Sequence, residues 1–393
     1  MGEHQTGGSV QRRQEPARSR PTVVMITDRM LYPVVEGTRA RIVDVIRSLQ
    51  RLGFRVVLVG RRPATWRSRI RTRLLADRVC FVDAAGFGSG SPLAYDTSPF
   101  RDAIDTAIRR YQPELAIAEY IWMAPCLDRI GPRALKFIDT LDLMHVRREM
   151  YAAQGTGAWV DCTELEEAQL LRKADVVIAI QQQEKASFAA LVPERPIICV
   201  PHSVRVRRAR WSGWRHRSAV MFVGSTNQGN VAGLNAFLSH GWPLVREASP
   251  EAELRVYGVI GRRVARDLAR VKVLGYVRSL DRAYQGSAVV INPVTLGTGL
   301  KIKTVEALAF GKALVTTTCG SEGLEEGTGE AFLVADDMDH FAGEVARIIA
   351  QPELRRKLER NALAFAREHF STERVFRELL DLLASQGLWS ANS

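Results

Sequence analysis

Short runs of β-branched and aliphatic residues, each followed by a stretch of helical period, recur along almost the whole chain and restrict its fold more than any other feature. TVVMIT (22–27) and RVVLVG (55–60) are the first two, and between them Ile42, Val45, Ile46 and Leu49 share one face of a helix that Gly53 closes. The runs lack the in/out alternation of a sheet with one wet face, so they predict strands of a parallel sheet covered on both sides. The alternation continues through ELAIAEY (114–120), ALKFIDT (134–140), DVVIAI (175–180) and PIICVPHSV (196–204). A second series follows: AVMFVGS (219–225), ELRVYGV (253–259), VKVLGYV (271–277), AVVINPV (288–294), ALVTTT (313–318) and AFLVAD (331–336). The pattern predicts an α/β chain of two tandem doubly wound, Rossmann-like sheets with a cleft between them, where ligands of open α/β sheets bind beyond the carboxyl ends of the strands.

The domain boundaries follow from what interrupts the alternation. Residues 1–20 are polar and basic, with Arg12, Arg13, Arg18 and Arg20, and read as a disordered tail. The first sheet occupies 21–200, a basic linker containing RVRRARWSGWRHR occupies 201–217, and the second sheet occupies 218–371. The remaining 372–393 carries an amphipathic helix with no further strand to serve. At 393 residues the chain is long enough for two such cores.

A formal charge of +12 favours anionic partners without choosing among nucleotides, nucleic acid and membrane surfaces. Five scattered cysteines form no disulfide framework and suit a reducing cytosol, so a cytoplasmic location is expected. No apolar run approaches the ~20 residues of a membrane helix.

The stretch GTGLKIKTVEALAFGKALVTTTCGSEGL (297–324) carries the clearest chemistry. A loop after the 288–294 strand leads to a helix expected to begin near Gly299 and end at Gly311. Free amides at a helix start favour a phosphate, and Lys301 and Lys303 add charge beside it. Glu306 falls roughly 10 Å along the axis from Gly299, about the span from a diphosphate to the ribose of the same nucleotide. Taken singly, the glycines are turn residues, the lysines solvated and Glu306 an exposed carboxylate. Their order at a cleft-facing loop favours a nucleotide site.

The same stretch resembles the donor signature of GT-B glycosyltransferases of the family 4 type, the glycosyl transferases group 1. VMFVGSTNQGNVAGLNAFLSHGWPLV and VLGYVRSLDRAYQGSAVVINPV are similar to other parts of that donor domain. MLYPVVEGTRARIVDVIRSLQRLGFRVVLVG and FIDTLDLMHVRREMY resemble parts of its acceptor domain. The similarity covers about residues 22–385. It implies a nucleotide-diphosphate sugar donor held by the second domain, with no other cofactor required, and a sugar or lipid-linked hydroxyl acceptor held by the first. Transfer would be metal-independent and retaining, and would belong to cell-surface glycan or glycoconjugate synthesis. The last helix would cross back to the first domain. Glu306 matches the ribose-binding glutamate, Gly297, Thr298, Gly299, Leu300 and Lys301 the diphosphate loop, and Gly37 the N-terminal glycine loop; Gly224 opens the donor domain. Thr298 stands where the family often has a second glutamate that touches the transferred sugar. Two alternatives share this architecture: a nucleotide-sugar 2-epimerase, and an inactive nucleotide-sugar-binding scaffold.

Without a metal the leaving diphosphate needs cations, for which Lys301, Lys303 and Arg39 are the candidates. The expected first-domain catalytic groups are Glu119, at the end of its strand, and His145, with Asp142 and Arg147 beside it. Asp337 and Asp339 spell a metal-binding Asp-x-Asp, but their place after a strand and before a helical pattern reads as an N-cap. The seven histidines show no paired spacing of a zinc site. Residues 60–78 hold seven arginines against one acid, with Trp66, Ile70 and Leu74 on a four-residue period. This is either a helix docking on an anionic membrane at its inner face or a helix packed on the sheet with solvated arginines. No nucleic-acid-binding module accompanies the charge, so no nucleic-acid partner is expected.

Overall fold

A computed structural model describes residues 20–206, 218–264 and 268–390. The tail over 1–19 and the linker segment 207–217 lie outside the described residues. Seven parallel strands form the first sheet: β1 (Thr22–Thr27), β2 (Arg55–Arg61), β3 (Arg78–Val82), β4 (Leu115–Glu119), β5 (Leu135–Asp139), β6 (Val176–Ala179) and β7 (Ile197–Cys199), in the order β3-β2-β1-β4-β5-β6-β7. Six form the second: β8 (Ala219–Val223), β9 (Glu253–Tyr257), β10 (Val271–Gly275), β11 (Val289–Asn292), β12 (Ala313–Thr316) and β13 (Leu333–Val334), in the order β10-β9-β8-β11-β12-β13. Each order reverses once, between β1 and β4 and between β8 and β11, which places a topological switch point in each domain.

Burial accounts for several of the strands the sequence announces, although β10 and β13 are announced with no fully buried residue. Every residue of β1, β4 and β6 is buried, and the same holds for β11 and β12. β3 is the strand the pattern does not announce. It lies at the sheet edge with Arg78 exposed and most of its other residues half-buried. The basic helix is therefore shorter than expected: it spans Trp66–Arg73, capped by Thr65, and the chain then turns into β3.

A buried ion pair ties the first domain together beneath its cleft. Arg41, on the helix Gly37–Arg51, donates from Nε and Nη2 to both oxygens of Asp139 at the end of β5, at 2.9 and 3.0 Å. Its remaining donors reach the carbonyls of Val200 and Pro201 after β7. Both side chains are 1 % exposed, so the pair depends on this saturation to offset lost hydration.

The chain end packs on the first domain. Glu378, in the helix Arg377–Ser385, accepts from the Cys199 amide and from Lys185 Nζ, both at 2.8 Å, and Trp389 Nε1 donates to the Leu52 carbonyl. Asp337 caps the helix Met338–Ala350 by accepting from the His340 amide, the role its position suggests.

Candidate functional site

A cavity of about 460 Å³ opens between the two domains, and its walls are the loops that leave the carboxyl ends of strands from both sheets. Gly37, Gly224, Gly297, Thr298, Leu300, Lys301, Lys303 and Glu306 all line it. Residues expected in separate domains thus share one wall-to-wall space.

The second-domain wall is built by the loop after β11. Gly297 and Gly299 have φ of +123° and +78°, a region open to glycine and strained for other residues. That geometry delays the helix, which begins at Ile302 rather than near Gly299 and runs Ile302–Ala309. Its first internal hydrogen bonds run from the Thr304 and Val305 amides to the Lys301 carbonyl, so the Ile302 and Lys303 amides precede them. Glu306 is then one turn into the helix, nearer its start than the sequence implied.

The two lysines have different roles. Lys301 Nζ donates to the carbonyls of Gly297 and Gly299 and to Glu322, at 3.1, 2.7 and 2.8 Å. An ammonium has three protons, so Lys301 is occupied as a staple that folds the loop. Lys303 makes one hydrogen bond, to Asn230 Oδ1, and lies 4.7 Å from the Phe222 ring centroid. Burial, with Lys301 nearby, pulls its pKa down to about 7. Glu306 has one weak partner, the Tyr284 hydroxyl at 3.5 Å, and burial pushes its pKa up to about 7. Among the described residues, neither Lys303 nor Glu306 therefore has an oppositely charged partner.

The first-domain wall meets this loop directly. A side chain on Gly37 would come within 3.3 Å of Ile302, and Thr298 Oγ1 donates to Asp142 Oδ1 at 3.2 Å. Asp142 also accepts from Arg147 at 2.7 Å, and burial holds its pKa above the usual carboxylate range. Two non-glycine residues in this wall have positive φ, Tyr120 at 75° and Leu141 at 66°. Such strain persists where surrounding structure enforces it, commonly at binding sites. Tyr120 is held by its hydroxyl, which donates to Thr38 at 2.7 Å.

The three expected catalytic side chains lie outside the cavity lining. Glu119 is fully buried at the end of β4, and its carboxyl has no hydrogen-bond partner among the described residues. Burial, with Asp139 nearby, holds its pKa well above the ordinary value. The backbone turn at Tyr120 gives the cavity position to the tyrosine and leaves Glu119 beneath it. His145 Nδ1 pairs with Glu167 at 2.6 Å, and that bond raises its pKa. Glu167 also accepts from the Met144 and His145 amides, so the group secures the start of a helix. Arg39 pairs with Glu36 and the Pro33 carbonyl at 2.9 and 3.1 Å. Gly299 lies outside the lining too, and holds the loop against Leu141 and Asp142. Arg29, Tyr120, Tyr151, Trp159 and Asn230 line the cavity without having been singled out.

Comparisons with known proteins agree with this architecture. Residues 217–351, spanning the second sheet, match the family model of the glycosyl transferases group 1. This stretch, about a third of the chain, is similar to that family. Across both domains the fold is that of GT-B glycosyltransferases. Sucrose-phosphate synthase from Thermosynechococcus elongatus superposes with a TM-score of 0.71 at 16 % identity, over 94 % of this chain and 100 % of that one. Staphylococcus aureus TarM, in a complex with α-GlcNAc-glycerol and UDP, gives 0.69 at 10 % identity, over 92 % and 99 %. Anabaena HepE, in a complex with UDP and glucose, gives 0.69 at 14 % identity, over 92 % and 99 %. A 44.6 kDa protein in the cps region of Klebsiella pneumoniae is 26 % identical over 176 residues, 42 % of this chain. That match spans 45 % of the curated relative's length.

Proposed function

We propose that this protein is a glycosyltransferase that moves a sugar from a nucleotide diphosphate, held by the second domain, to a hydroxyl acceptor held by the first domain. The observation that carries the reading is the cavity itself, which sets Lys303 and Glu306 opposite Gly37 and Asp142. In this reading Glu306 accepts hydrogen bonds from the ribose hydroxyls, while Lys303 and the Ile302 and Lys303 amides face the diphosphate. The bond from the anomeric carbon to the diphosphate oxygen breaks, the acceptor oxygen bonds to that carbon, and the acceptor proton is released. The lysine charge and amides stabilise the negative charge that develops on the leaving group.

Transfer without a metal ion is part of the reading, supported by this cationic wall. Retention of configuration is part of it as well, and rests on the family resemblance. Where the family often has a second glutamate, Thr298 donates to Asp142, so the first domain brings a carboxylate to that place across the cleft. The TarM and HepE complexes contain UDP, which makes a UDP-sugar the first donor to test. The cps-region relative favours assembly of a cell-surface glycan.

A specific observation extends the reading to the membrane. Trp66, Ile70 and Leu74 are 65, 46 and 81 % exposed, so the apolar stripe faces outward while Ser68 and Thr72 are buried. An outward apolar stripe among Arg67, Arg69, Arg71 and Arg73 suits an anionic bilayer surface carrying a lipid-linked acceptor. No described helix is long and apolar enough to cross a membrane.

The test is incubation with UDP-sugars, with and without mixed glycan acceptors, followed by analysis of nucleotide and sugar products. Release of UDP that increases with acceptor supports transfer. Conversion of donor to a free epimer without acceptor identifies the 2-epimerase alternative. Binding with no turnover identifies the scaffold.

A further inference from the structure

Arg29, in the loop after β1, lines the cavity from the first domain. Its guanidinium carbon lies 5.2, 5.1 and 5.3 Å from the ring centroids of Tyr120, Trp122 and Trp159. These rings are themselves braced: Tyr120 and Phe87 both stack on Trp122, at 4.0 and 4.6 Å, and Trp159 meets Trp122 edge-on at 5.5 Å. Among the described residues the guanidinium donates no hydrogen bond. Its nearest carboxylate, Asp28 Oδ1, is 3.6 Å from Nε, and the other Asp28 oxygen accepts from the Phe87 amide. The side chain is only 18 % exposed.

A guanidinium has five donors in a planar fork. Aromatic faces attract the cation but satisfy none of those donors. Removing such a group from water without acceptors is costly, and the surface left to Arg29 is the cavity. Arg147 lines the same cavity, donates to Asp142, and has no partner for Nε among the described residues. Trp159, half-buried, offers a ring beside Arg29 in the same cavity.

We infer that the acceptor carries an anionic oxygen group, a carboxylate or a phosphate, which Arg29 receives while the acceptor's sugar ring lies against Trp159. This deepens the proposed function and rests on the first domain being the acceptor side. The fork geometry suits two oxygens of one anion. The aromatic clamp fixes the guanidinium before the ligand arrives, which lowers the ordering cost of binding.

The experiment is calorimetric titration of the full chain, saturated with UDP to fill the donor side, with three probes: methyl glucuronide, glucose 6-phosphate and methyl glucoside. At least one anionic probe is expected to bind on the order of 10- to 100-fold more tightly than methyl glucoside, the gain of hydrogen bonds to a charged group. Which anionic probe wins tells a carboxylate acceptor from a phosphate one. Arg29→Gln should abolish the preference and Arg29→Lys should restore part of it, with UDP affinity reporting that each variant folds. Equal binding of all three probes, no binding of either anionic probe, or an undiminished preference in a folded Arg29→Gln variant overturns the inference. If UDP does not bind while an anionic probe does, the donor assignment fails and the anion site stands. If UDP binds and no preference is seen, the anion site alone fails.

Discussion

Replacing Glu306 by Gln should change both the strength and the pH dependence of donor binding. In the free protein Glu306 and Lys303 both titrate at about 7, from opposite sides: burial raises the acid and lowers the base. Glu306 is ionised only above that value and Lys303 protonated only below it. Binding that needs both charges is therefore strongest near neutrality. At about pH 7 each group is half in its useful form, so about a quarter of molecules carry both charges, against about one twelfth at roughly pH 6 or 8. Affinity for a nucleotide-sugar, whose diphosphate is esterified at both ends and does not titrate in this range, should fall about threefold on each side. Glu306→Gln should lower affinity on the order of 10- to 100-fold, by removing hydrogen bonds to a charged acceptor. It should also leave only the Lys303 limb, with binding about tenfold weaker at roughly pH 8 than at pH 6. Lys303→Met should leave the opposite limb. Calorimetry across this range measures all three. A flat wild-type profile, or a Glu306→Gln variant that keeps the maximum, would refute the placement of ribose and diphosphate on these side chains.

Four further outcomes follow from the geometry. Arg41→Met should destabilise the fold by about 3–5 kcal/mol, since it leaves Asp139 buried without its cation, and a urea midpoint that hardly moves would count against the pair. Glu119→Gln should leave stability within about 1 kcal/mol and turnover near wild type, because burial and the nearby Asp139 favour the protonated carboxyl and the side chain lies outside the cavity lining; a large loss of turnover would return Glu119 to the chemistry. His202 is buried with its pKa down at about 3, so the unfolded chain alone binds its proton as pH falls below about 6.5, and the wild type should lose about 2 kcal/mol more than His202→Leu between pH 7 and 5. Vesicles containing anionic lipid should float the wild type and not a variant with Trp66, Ile70 and Leu74 changed to Ser; no flotation even at low salt would end the docking proposal.

How much the sequence discloses depends on what each segment buries. The strands sheathed on both faces appear as uninterrupted β-branched runs, and all six of the second sheet lie within the segments marked for them. β3 escapes because its exposed, charged positions such as Arg78 blend into the basic helix before it. The helix start at Ile302 escapes because nothing local reveals that Gly297 and Gly299 take positive φ and that Lys301 turns back on their carbonyls. Lys303 and Glu306 are legible since their spacing on one helix is fixed by the helix itself. Arg29, Tyr120 and Trp159 are not, because they reach the cavity from separate loops and share no spacing in the chain. Glu119 and Tyr120 show the limit most plainly: one backbone turn decides which of two adjacent residues faces the cavity, and no periodicity records it.

We propose that the cavity between the domains binds and cleaves a nucleotide-sugar. The most direct measurement is calorimetry and nucleotide-release assay with UDP-, GDP- and dTDP-sugars, each with and without EDTA, on the wild type and Glu306→Gln. One donor class should bind, its nucleotide diphosphate should be released in the presence of EDTA, and the variant should lose most of that binding. Binding of none of the three classes, or release that EDTA abolishes, would contradict it.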